Sequence, residues 1–239
     1  GGGAAGFFGA IACAEADPAA EVYLLEKSPE LLAKVTISGG GRCNVTHHCF
    51  DVDRLVRSYP RGGAELRGPF HRWQPRDTVE WFESRGVALK VEEDGRMFPV
   101  TDRSASIVQA LTESARRAGV QVRTSCGLQD LQPVPGGGFH LELTTRETLA
   151  CDRVLLASGG NKNTAGYRLA AAAGHTIEPP VPSLFTFKID DPSLHKLSGL
   201  SVPDAEVSVP GLRLAQSGPL LITHWGLSGP AALKLSSWG

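Results

Sequence analysis

"GGGAAGFFGAIACAEADPAAEVYLLEKS" occupies residues 1–28, and its reading decides the fold. Gly1-x-Gly3-x-x-Gly6 has the spacing of a dinucleotide-binding turn. The first glycine permits a tight turn, the second lets a diphosphate approach the main chain, and the third lets a helix pack closely. The small apolar residues from Ala4 to Ala16 predict that helix, ending before Asp17-Pro18. Glu21–Glu26 reads as a short buried parallel strand. Glu26 stands twenty residues after Gly6, where a carboxylate can accept hydrogen bonds from a ribose 2′-hydroxyl. It also disfavours a 2′-phosphate, so FAD or NAD is preferred over NADP at this turn. Such a turn normally caps a buried strand, and the expectation is that the chain begins inside a longer protein.

Outward from this stretch, residues 28–50 read as a long loop holding a second glycine cluster, and residues 51–72 carry no clear pattern. Pro75–Arg85 reads as an amphipathic helix stopped by Gly86, followed by a strand at Val87–Val91 and an extended piece at Met97–Val100. Asp102 or Ser104 can cap a helix running to about Ala118, with Gly119 as its stop. Val120–Arg123 is a strand, and Leu128–Pro133 pairs with Phe139–Thr144 as a hairpin. Arg153–Ala157 reads as another buried strand and Tyr167–Ala173 as a helix ending at Gly174. Beyond Pro179 prolines recur and strands look short until Gly229. The order fits an α/β fold: a Rossmann-like FAD- or nucleotide-binding domain at 1–180, with parallel sheet, helices and a small β-meander, then a β-rich domain at 181–239.

Composition narrows the class. The 239 residues carry a net charge of −1, which argues against a nucleic-acid partner. No apolar run is long enough for a membrane span. Five widely spaced cysteines without a CxxC favour a reducing, cytoplasmic setting over a disulfide framework. His47-His48-Cys49 lacks the distant ligands a metal site needs, so no metal is expected.

The second cluster, "KVTISGGGRCNVTH" at 34–47, leaves two readings open. Gly39-Gly40-Gly41 can let main chain lie against a flat ligand, with Arg42 offering charge and Asn44 hydrogen bonds. It can equally be a glycine loop with incidental polar neighbours.

Together with "GGGAAG" at 1–6, "GRMFPVTDRSASIVQAL" at 95–111, "VLLASGGN" at 154–161 and "GPLLITHWGLSGPAALKLS" at 218–236, this cluster resembles the BaiN/YhiN-type bacterial flavoproteins. These are NAD(P)/FAD-dependent oxidoreductases of the glutathione-reductase-like superfamily. The resemblance implies FAD held by Gly1, Gly3, Ala5, Gly6, Glu26, Lys27, Gly41, Arg42, Cys43, Asn44, Ala157 and Gly160, with Leu128 near adenine through its backbone. It implies NAD(P)H as a transient donor, since no second GxGxxG is present, and a small-molecule acceptor of enone or steroid-like type. It also implies a chain truncated at both ends, with an incomplete inserted domain and a shorter loop, "NKNTAGY", after "ASGG". His224 is the candidate acid–base residue, or else a histidine satisfied within the β-rich domain. Cys43 has no partner cysteine and reads as packing or flavin contact before redox catalysis. Two other readings are an NAD-dependent dehydrogenase using the first cluster alone and a non-catalytic nucleotide-binding scaffold.

Overall fold

The structure, a computed structural model, describes residues 1–160 and 165–238. It divides into two compact units: residues 1–50 with 73–178, and residues 51–72 with those from 179 onward.

In the first unit, helix α1 (Ala4–Ala16) spans the predicted residues and buries Phe7 and Ile11. Strand β1 (Tyr23–Leu25) follows and pairs in parallel with β5 (Gln121–Arg123), Tyr23 opposite Gln121 and Leu25 opposite Arg123. Helix α2 (Ala33–Gly41) occupies what the sequence presented as loop. Its regular turns stop at Ser38, whose backbone is extended, and Gly39, Gly40 and Gly41 continue at φ +57°, +69° and +84°. Strand β2 (Thr46–His47) leads on to helices α3 (Val52–Val56) and α4 (Gly63–Arg72), which belong to the second unit. Helix α5 (Pro75–Glu83) starts on a proline, with the Asp77 side chain accepting from the Gln74 N–H at 2.7 Å. Strands β3 (Leu89–Val91) and β4 (Arg96–Pro99) complete a three-stranded antiparallel sheet in the order β2-β4-β3.

Helix α6 (Ser104–Arg117) is not capped by Asp102 or Ser104; its N-cap is Arg103, with no side-chain bond. Ser104 donates instead to the Thr36 carbonyl at 2.8 Å, tying α6 to α2, and Asp102, at φ +53°, pairs with cations. Strands β6 (Leu128–Pro133), β7 (Phe139–Leu143) and β8 (Thr148–Cys151) form an antiparallel meander whose third strand the sequence did not announce. Arg153–Ala157 carries no strand ladder, and Leu155 is 67% exposed. Its β-rich composition is not enough, because a strand exists only where a neighbour accepts its hydrogen bonds. Helix α7 (Ala165–Ala172) closes the meander's core through Leu169. The "NKNTAGY" loop falls largely outside the described residues. With α1, α2 and α6 packed around the parallel β1–β5 pair, the first unit is Rossmann-type, and its core joins Phe7, Ile11, Leu24, Val35, Ile107 and Leu111.

In the second unit, α3 is capped by Asp51, which accepts from the Arg54 N–H at 2.9 Å. Strand β9 (Phe187–Lys188), helix α8 (Pro192–His195) and strands β10 (Ser201–Val209), β11 (Leu214–Thr223) and β12 (Gly226–Ser228) give an antiparallel sheet ordered β10-β11-β12-β9. Its strands are not all short. β10 and β11 form a hairpin of nine and ten residues, with a register shift between Val202 and Ala205 that accommodates Pro203. Helix α9 (Pro230–Ser236) buries Ala231, Ala232 and Leu235 against it. Among the described residues no helix is long and apolar enough to cross a membrane.

Ile11 is fully buried in the first core. Ile11→Ala is expected to cost about 2–5 kcal/mol, read as a fall in the urea midpoint at unchanged slope.

Candidate functional site

Each glycine of the opening turn meets a different constraint. A Cβ on Gly1 would lie 2.6 Å from the Ala157 carbonyl oxygen, and one on Gly6 would lie 1.8 Å from that of Gly1. Gly3 has nothing within 4 Å of such an atom. The turn is therefore packed from behind at Gly1 and Gly6 and open in front at Gly3. Gly3, Ala4 and Ala5 are exposed there. Helix α1 has no side-chain cap and no acid in its first turn. Its free N–H groups and positive dipole end thus lack an anionic partner of their own.

Gly2 joins this turn to the rest of the unit. Its N–H donates to Glu26 Oε2 at 2.7 Å, and its carbonyl accepts from the Leu32 N–H at 2.8 Å. Glu26 Oε1 accepts a second bond, from the Ser28 N–H at 2.9 Å. Burial opposes the charge on Glu26, but the Ser28 and Gly2 N–H groups outweigh it and hold the carboxyl below its ordinary range. One bond to each oxygen leaves lone pairs for further donors. The Glu26 carbonyl accepts from the Cys126 N–H, and Lys27 lies against Gly127, where a Cβ would come within 2.8 Å of the lysine Cβ. Leu128, opening β6 opposite Leu143, follows directly.

Ala157 reaches the turn through its contact with Gly1. Gly160 is held by a residue absent from the expected set. Lys34, in the first turn of α2, donates from Nζ to the Gly160 carbonyl at 2.6 Å. A lysine in a helix's first turn is unfavourable toward the dipole. The sequence held no signal for this contact, because the segment reads as loop and the acceptor is a main-chain oxygen.

The second cluster closes the other end of α2. Five helical residues, Ala33–Ile37, separate the two ends, about 7–8 Å of rise. Gly39 is pressed close, with a Cβ there only 2.7 Å from the Asn44 nitrogen and 2.8 Å from Phe98 Cε1. Gly40 and Gly41 face open space, and Asn44 is exposed. The Arg42 guanidinium pairs with Glu92 and Asp102 and lies 4.0 Å from the Phe98 ring centre. Cys43, at φ +63°, turns its side chain into the core, where burial pushes the thiol up and away from the reactive thiolate. The structure thus gathers Gly1, Gly3, Ala5, Gly6, Glu26, Lys27, Leu128, Ala157 and Gly160 around one end of α2, and sets Gly41, Arg42 and Asn44 at the other. His224 belongs to the second unit, exposed at the β11–β12 turn with its ring 4.2 Å from that of Trp225.

These residues fit FAD: an open diphosphate turn under unpartnered helix N–H groups, a braced carboxylate for a ribose, and a second open glycine face. Glu26 also sets a pH dependence. Its contribution is full above the ordinary carboxylate range and is lost as pH falls through its depressed folded value. Glu26→Gln is expected to lower the urea midpoint at pH 7, with the gap from native protein closing in acid. A gap that stays constant with pH contradicts this.

Residues 1–229 match the sequence profile of the HI0933-like protein Rossmann domain. The chain is 30% identical over 244 residues to the 3-dehydro-bile acid delta(4,6)-reductase of Clostridium scindens, covering 99% of this chain and 58% of the relative. It is 28% identical over 249 residues to the ribosomal RNA dihydrouridine synthase of Escherichia coli, covering 100% of this chain and 59% of that protein. The chain spans about three fifths of the curated relatives it matches. Among solved structures, THI4 of Thermovibrio ammonificans overlays with a TM-score of 0.48 at 16% identity, over 73% of this chain and 60% of that one. With the profile covering nearly its whole length, the chain belongs to the HI0933-like family of FAD-binding Rossmann proteins.

Proposed function

We propose that the chain is the FAD-binding part of an oxidoreductase that reduces a carbon–carbon double bond conjugated to a carbonyl, drawing on NADH or NADPH. The observation that carries this reading is the pairing, within one unit, of an open diphosphate turn with a second open glycine face one short helix away. A nicotinamide dehydrogenase needs only the first. When bound, FAD supplies the two-electron carrier between nicotinamide and acceptor. The chain's own residues bind and orient it. Gly3 and Ala5 leave room for the diphosphate, Lys34 supplies a cation, Glu26 accepts from the ribose, and Gly40 and Gly41 provide a floor for the ring.

The names of the relatives support the acceptor class. A 3-dehydro bile acid with delta(4,6) unsaturation carries a conjugated dienone. Dihydrouridine is uridine whose carbonyl-conjugated ring double bond has been reduced. Both reductions add a hydride at one carbon of such a bond and a proton at the other. The near-neutral net charge of −1 favours a small molecule as acceptor.

Titration of the chain with FAD tests the reading. A yellow complex is expected, bleached anaerobically by NADH or NADPH and recoloured by a conjugated enone. Colourless protein that takes up NAD and not FAD overturns it. A yellow protein that no pyridine nucleotide bleaches overturns the donor and leaves a flavin-binding scaffold. Gly3→Ala is expected to keep the native urea midpoint, because its Cβ enters open space, while weakening FAD binding about tenfold or more. Lys34→Met is expected to weaken FAD binding about tenfold and to flatten its salt dependence, as loss of one charge-assisted contact.

A further inference from the structure

The loop bearing the second glycine cluster holds one arginine, and an arginine beside a cofactor invites reading as an anion contact. The geometry points to another role: we infer that Arg42, paired with Glu92 and Asp102 across Phe98, is a positioning residue that presses the Gly39–Asn44 loop into shape, not a contact for the ligand's charge. The inference rests on the FAD reading above and deepens it.

One nitrogen and one face of the guanidinium are already engaged. Arg42 Nη1 donates to Glu92 Oε1 at 2.5 Å and lies 3.5 Å from Asp102 Oδ1, and its carbon stands 4.0 Å from the centre of the Phe98 ring. Both acids bind other cations as well: Lys90 pairs with Asp102, and Arg96 with Glu92 and Asp94. Three cations thus face three carboxylates, and the cluster presents no surplus positive charge to an anion. Phe98 is fully buried and also has the Arg96 guanidinium 5.4 Å from its ring centre, so two guanidinium groups approach one ring.

An isolated exposed ion pair does little. This one differs in what it joins. Arg42 lies fifty residues from Glu92 and sixty from Asp102, and Gly39 rests on the same Phe98 ring that Arg42 covers. The chain from Gly39 to Cys43 passes through three glycines at positive φ and the left-handed Cys43; the Arg42 and Cys43 N–H groups close it on the Ser38 carbonyl, and the glycines add no side chain to hold it. Arg42 and the buried Cys43 side chain fix the far end of that run, Arg42 through Nη1 toward two carboxylates and through its flat face on the ring.

The two roles predict opposite signs for the removal of an acid. Freeing Arg42 strengthens an anion contact but loosens a positioned loop. The chain carrying Glu92→Gln is to be compared with native protein by FAD titration and by amide hydrogen exchange at residues 39–44. Expected are FAD binding about tenfold weaker and loop exchange at least tenfold faster. Asp102→Asn, which keeps a side chain tolerant of the left-handed backbone there, is expected to act in the same direction by about threefold. Arg42→Gln with Glu92→Gln is expected to lose no more than either change alone. Unchanged exchange at residues 39–44 in Glu92→Gln overturns the inference, as does FAD binding equal to or tighter than native. Native protein that takes up no FAD defeats the reading of the site, and the exchange measurement, which needs no cofactor, then decides this inference alone.

Discussion

The peptide of Gly2 is held from both sides, and the first unit is organised around that fact. Its N–H is taken by the Glu26 carboxylate and its carbonyl by the Leu32 N–H. Three elements therefore meet at one residue: the turn before α1, the end of β1 and the start of α2. Because Gly2 is buried, releasing either bond would strand a polar group away from water. The same two bonds orient the α1 N-terminus and fix where α2 departs. Position at the turn is thereby transmitted along α2 to the second glycine face.

The two ends of α2 are electrostatically unlike. Around the opening turn, the first turns of α1 and α2 hold no acid, and Lys34 adds a cation next to Gly159 and Gly160. Around Arg42 every cation is matched by a carboxylate. Open helix N–H groups and a lysine beside the one braced carboxylate of Glu26 at one end, and matched charges at the other, suit a ligand charged at its middle and flat and weakly charged at its tip. The exposed carboxylates at the balanced end are spent on the protein's own arginines and lysine.

What could be read from the sequence was what is local in the chain. The GxGxxG spacing, the small-residue helix and Glu26 twenty residues on all lie within one supersecondary unit; the structure returns the helix to the residue, and the strand, expected over Glu21–Glu26, only at Tyr23–Leu25 with Leu24 alone buried. Helix α2 escaped because its regular part is five residues long and is fixed by distant groups: the Gly2 carbonyl, which receives the Leu32 N–H, and Ser104, which donates to the Thr36 carbonyl. Arg153–Ala157 has strand composition, but no neighbouring strand among the described residues pairs with it, and Leu155 touches α1 at Gly9 while staying largely exposed. Prolines suggested short strands after residue 180, yet Pro203 sits at a register shift that lets β10 run on. The partners of Arg42 lie fifty and sixty residues away, and charge alone does not name them. Lys34 was visible as a residue but not as a tether, since its acceptor is a main-chain oxygen with no side-chain signature.

The glycines at 39–41 carry a final consequence. Gly40 and Gly41 have empty space where a methyl group would stand, yet their backbones lie in a region that L-amino acids avoid. Room is not what restricts these positions; chirality is. At Gly39 and Gly40 the chain runs as a mirror image of its own helix, so a side chain can fill the space beside Gly40 only at a cost in backbone strain.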